Sequence, residues 1–114
     1  MKVHYLEIVT NDVESVVQSY AKANSVEFNE PVAELGNAVT ARLADDSLVG
    51  VRAPMHETEE PAIRPYWLVS DIEAALADCV AAGAEIAHSP LELAGFGTFA
   101  IYSLGGVMHG LWQL

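Results

Sequence analysis

Apolar and polar positions along the chain follow two periodicities that succeed each other in the same order twice. Val3, Tyr5, Leu6, Ile8 and Val9 make a short apolar strand that runs straight into Val13, Val16, Val17 and Tyr20, spaced as one face of a helix. Asp12 stands just before that face, where a carboxylate can accept from the free N–H groups of a first helical turn. The pattern returns in the second half. Tyr66, Trp67, Leu68 and Val69 make a strand, Asp71 stands at the cap, and Ile72, Ala75, Leu76 and Cys79 mark a helix face that Gly83 ends.

The segments after each helix read as strands. In the first half these are 26–28, broken by Glu30-Pro31, then 38–43 and 48–53, with Asp45-Asp46-Ser47 as a polar hairpin turn. In the second half they are 85–87, 98–102 and 107–113, with Gly105-Gly106 as the turn. Asp12 and Asp71, Pro31 and Pro90, and Gly36 and Gly95 each stand 59 residues apart, as do Glu14 and Glu73, Ala23 and Ala82, and Ala41 and Ala100. Several of these shared marks are caps and turns, where backbone geometry restricts residue choice most. The chain is therefore expected to be one α+β domain, 1–114, built as a duplicated βαβββ module. Module 1 covers about 1–53, a linker 54–62, and module 2 about 63–114. Eight strands would form an open, curved mixed sheet of two half-barrels, helices outside and a concave trough inside.

Composition narrows the partners. At 114 residues the chain is long enough for one ordinary core, and 52% hydrophobic residues are too many for a disordered protein. No apolar run approaches the ~20 residues of a membrane span, and no charged, apolar and cleavable leader opens the sequence. A cytoplasmic setting is expected. Sixteen acidic against five basic residues give a formal charge of −11, which argues against nucleic acid and anionic membranes as partners. Cys79 is alone, so an internal disulfide is excluded, and its place on the apolar helix face marks it as core.

The βαβββ duplication, with Asp-Val-Glu and Asp-Ile-Glu opening the helices, resembles the glyoxalase/bleomycin-resistance/extradiol-dioxygenase superfamily, also called vicinal oxygen chelate. The closing segment, from Gly95-Phe96-Gly97-Thr98 through Gly105-Gly106-Val107 to Gly110-Leu111-Trp112-Gln113, is similar to its glyoxalase-related branch. The resemblance implies metal ligands on the first and fourth strands of each module. Those positions fall on Tyr5, Val51, Arg64 (or Pro65) and Gly110. Val and Gly cannot ligate, Arg stays protonated, and a lone Tyr is a poor divalent site, so the family's metal site is expected to be missing. The resemblance also implies dimerisation, and a homodimer is expected.

Four histidines offer an alternative metal site. His4 and His109 neighbour the Tyr5 and Gly110 positions, but strand alternation should turn both toward the helices, and His56 and His88 read as solvated. Glu7 shares the trough face with Tyr5, and burial among Tyr5, Tyr66, Leu68 and Trp112 would suit it to proton abstraction or to holding a ligand. An ion pair with Arg64 is the competing structural reading.

Of the aromatic set Tyr5, Tyr66, Trp67, Phe99, Tyr102 and Trp112, about half should be core and the rest should line a pocket. Two functions follow. In one, Tyr5, Glu7, Arg64, Tyr66 and Trp112 bind a small apolar or aromatic molecule without metal. In the other, Glu7 is the general base of a lyase or isomerase related to lactoylglutathione lyase, with Zn, Ni, Mn or Fe at a non-standard site such as His4 and His109.

Overall fold

Both aspartates expected to cap helices do so. Asp12 Oδ1 accepts from the Ser15 amide at 3.2 Å at the head of α1 (Val13–Asn24), and Asp71 Oδ1 from the Ala74 amide at 3.1 Å at the head of α2 (Ile72–Ala81). In this computed structural model, which describes residues 1–114, the chain divides into two compact units. One comprises Tyr5–Ile63; the other joins Met1–His4 to Arg64–Leu114.

In the first unit, β1 (Lys2–Val9) runs parallel to β3 (Leu48–Arg52), and β3 pairs antiparallel with β2 (Val39–Arg42). Alternation along these strands separates two faces. Ile8, Ala41, Val49 and Val51 are buried on one, where Val13, Val16, Val17 and Tyr20 of α1 pack against them. Tyr5, Glu7, Gly50 and Arg52 stand on the face opposite the helix. The hairpin between β2 and β3 is closed by backbone bonds from Leu43 N to Ser47 O and from Asp46 N to Leu43 O, with Asp46 at positive φ.

In the second unit, β4 (Ala62–Leu68) runs parallel to β7 (Val107–Gln113). Antiparallel pairing then adds β6 (Gly97–Leu104) and β5 (Glu85–Leu93), so the order is β4-β7-β6-β5. Ile72 and Leu76 of α2 pack on Ala84, Ala100, Tyr102 and Leu111, with Trp67, Val69, Ala75 and Cys79 around them. The Gln113 side chain accepts from the Ile72 amide at 2.8 Å, fastening the first turn of α2 to β7. Gly105 and Gly106 both take positive φ in the β6–β7 turn, as a two-residue hairpin loop requires.

The class is α+β with mixed strand pairing, as expected, but there are seven strands and not eight. Residues 26–28 form no strand. Val26 and Phe28 are half-buried against the α1 cluster, and the following segment meets the edge of β2 through one bond from Asn29 N to Thr40 O and one bridge between Val32 and Ala38. Pro31 has no N–H to extend that ladder. The corresponding segment of the second unit, expected at 85–87, is the nine-residue β5, which carries Pro90 at the sheet edge.

Candidate functional sites on the helix-free faces

The helix-free face of the first unit is charged. Arg52, 3% exposed, is held between two carboxylates: its Nε donates to Glu7 Oε2 at 2.8 Å, and its Nη1 and Nη2 donate to the two oxygens of Glu59 at 2.8 and 2.6 Å. Nη1 also reaches the Ala53 carbonyl, and Glu59 accepts from the Met55 amide at 2.7 Å. The fork geometry of the guanidinium makes the Glu59 contact bidentate. Hydrogen bonding from Arg52 holds the Glu59 carboxyl down to about 2 against its burial, and the same contact raises the Arg52 pKa. Segment 53–59 is thereby tied to the end of β3.

Beside this triad, the Tyr5 ring lies over Gly50. A Cβ at Gly50 would overlap the phenol, 2.6 Å from its Cζ. The second unit repeats the device: Tyr66 pairs with Gly110, where a Cβ would stand 2.5 Å from the Tyr66 ring Cγ.

The second unit's helix-free face is aromatic. Tyr66 meets Trp112 edge-on at 5.8 Å and Phe99 at 6.3 Å, while Phe99 and Trp112 lie 6.5 Å apart. Trp112 Nε1 donates to the Phe96 carbonyl at 3.1 Å, and His88 tilts over Phe99 at 4.8 Å. Tyr66 and Trp67 divide between the faces as adjacent strand residues must: Trp67 packs in the α2 cluster. Tyr102 is on that side too, where burial and then Cys79 raise its hydroxyl pKa.

The ligand positions that the sequence resemblance implies do not fit a metal in this chain. Val51 was expected on the trough face, but it is 0% exposed among Ile8, Val49 and Ala41 on the α1 side. The carry-over failed by one residue. Glu7 pairs with Gly50 and Tyr66 with Gly110, so the offset between the halves grows from 59 residues on the first strand to 60 on the last. The positions that do face away from the helices are thus Gly50 and Gly110, and a tyrosine ring fills the space of any side chain at either.

The histidines are not brought together. His109 stacks on Tyr102 at 5.1 Å, on the α2 side, as alternation predicted. His4 departs from its expected helix-facing direction: it is buried with its ring 5.7 Å from that of Trp112, because residues 1–4 pack with the second unit. No group of three or more His, Cys, Asp or Glu is placed to hold a metal ion. Arg52 and Glu59 were missed. Their only sequence signal is an arginine ending an apolar strand just before an acidic linker.

No protein-family model and no curated protein sequence matches the chain. Solved structures do. A hypothetical protein of Bacillus halodurans C-125 superposes with a TM-score of 0.73 at 15% identity, covering 99% of this chain and 94% of that one. Methylmalonyl-CoA epimerase from Mycobacterium tuberculosis gives 0.73 at 16%, covering 97% and 86%. A Streptomyces coelicolor methylmalonyl-CoA epimerase variant in complex with 2-nitronate-propionyl-CoA gives 0.67 at 16%, covering 99% and 96%. The fold is the vicinal oxygen chelate fold. At these identities the likeness shows fold alone. No helix is long and apolar enough to cross a membrane.

Proposed function

We propose that this protein binds a small apolar or aromatic molecule against the helix-free face of its second unit, without a divalent metal. The observation that carries the reading is the cluster of Tyr66, Phe99 and Trp112, three rings in edge and tilted contact on the side of the sheet away from α2, with Phe99 half-buried over the buried Tyr66 and Trp112. Apolar walls with few polar groups are the usual form of a small-molecule site. The tyrosine-filled space at Gly50 and Gly110 supports the metal-free part of the reading.

Equilibrium dialysis with 2-methoxynaphthalene tests it. Saturable one-to-one binding is expected, weakened roughly tenfold by Phe99→Ala, as loss of an aromatic partner predicts. Absence of saturable binding, or affinity untouched by Phe99→Ala, would remove the reading. Stoichiometric Zn, Ni, Mn or Fe in protein purified without chelator would remove its metal-free part.

A second reading, an isomerase, draws on the epimerases among the similar structures. In it Glu7 is the base. Its carboxylate is already engaged by the Arg52 guanidinium at 2.8 Å, a contact that a base at this position would have to give up or share. Epimerisation of methylmalonyl-CoA by the purified protein, lost in Glu7→Gln, would establish this reading over simple binding.

A further inference from the structure

β5 is irregular in a way that aims one side chain. Ile86 pairs with Tyr102, but His88 pairs with Ile101, so Ala87 is an extra residue; between His88 and Leu91 the register slips again. Strict alternation would put His88 on the same face as Ile86, which is opposite the Tyr102 of the α2 core. The first bulge turns it over, onto the face of Ile101 and Phe99, and its ring lies 4.8 Å from the Phe99 ring. The second bulge then lets Leu91 return opposite Phe99.

The ring is also fixed in its tautomer. His88 Nδ1 lies 2.7 Å from the Ser89 carbonyl oxygen. A carbonyl only accepts, so Nδ1 carries the hydrogen, and in the neutral ring Nε2 is left as an acceptor. His88 is exposed at the rim of the aromatic cluster, whereas Trp112 Nε1–H is already given to Phe96. The exposed His88 thus offers a ligand an imidazole lone pair beside an aromatic wall.

We infer that His88 is a specificity-determining residue of this face, and that the preferred ligand is a hydroxyl- or N–H-bearing aromatic molecule. Its ring lies against Phe99, the half-buried member of the cluster that Tyr66 and Trp112 back from below, and its donor hydrogen-bonds to His88 Nε2. The inference rests on the binding role proposed above for that cluster.

Paired probes test it: 2-naphthol, which carries the donor, and 2-methoxynaphthalene, which does not. By equilibrium dialysis at pH 8, wild type should prefer 2-naphthol by roughly five- to tenfold, the size of one net hydrogen bond. His88→Phe keeps a ring on Phe99 but removes the acceptor, and should bring the ratio of the two affinities to about one. His88→Gln, which retains an acceptor, should keep part of it. Equal wild-type affinity for the two probes, or a preference that survives in His88→Phe, overturns the role of His88 while the binding function stands. No saturable binding of either probe overturns both.

Discussion

The two units place different chemistry on matching backbone. Glu7 faces Gly50 across β1 and β3 as Tyr66 faces Gly110 across β4 and β7, and two residues on, Arg52 and Trp112 take the same position. One pair of positions became a buried ion pair with Glu59 as its third member; the other became an aromatic pair joined by Phe99. The register and the glycine are the same in both, and a tyrosine ring covers each glycine, from Tyr5 two residues before Glu7 in one unit and from Tyr66 itself in the other. Strand pairing and close backbone packing thus set the frame, while the facing side chains were free to change class. The difference also assigns roles. The triad engages all three guanidinium nitrogens of Arg52 and ties down the linker; the aromatic cluster is held by ring contacts.

The sharpest way to break the contrast is Arg52→Met. It strands two carboxylates that the guanidinium compensates, and should cost about 3–5 kcal/mol in urea unfolding. A loss below about 1 kcal/mol would show that the triad is not a buried unit.

Glu59→Gln is milder, at about 1.5–3 kcal/mol, since Arg52 keeps Glu7. It carries a pH signature. The Glu59 carboxyl lies at about 2 when folded, below its ordinary 4.5, so its contribution is complete above pH 4.5 and is lost as pH falls toward 2. Over that window wild type should lose stability faster than Glu59→Gln; parallel curves would contradict the pairing.

Gly50→Ala and Gly110→Ala probe what the units share. Each should cost about 1–3 kcal/mol through overlap with its tyrosine. Each should cost much less when combined with Tyr5→Ala or Tyr66→Ala respectively. If only one of the two glycines is sensitive, the kinship of the faces is weaker than their register suggests.

Much of the frame was legible in sequence because caps and turns are local. Asp12, Asp71 and Gly105-Gly106 each do what their residue type dictates within a few positions. Val26–Phe28 misled because an apolar alternating segment can pack against a helix without completing a ladder, and Pro31 withholds the amide. Val51 misled because a constant offset hides a one-residue insertion, and one residue reverses a strand's face. The same blindness concealed His88, whose direction is set by two bulges that no periodicity announces. Arg52 meets Glu7 across 45 positions and Glu59 across 7, a partnership that no local spacing encodes.

Residues 1–4 belong by packing to the unit whose remaining sequence begins at Arg64. A gene cut after Ile63 would therefore not separate the two units cleanly. The distal fragment would be made without the His4 ring that covers Trp112, and the proximal one would carry a four-residue overhang with no partner of its own. The dependence runs one way: the unit that holds Trp112 is completed by the first four residues of the chain, and separating the two stretches would uncover it.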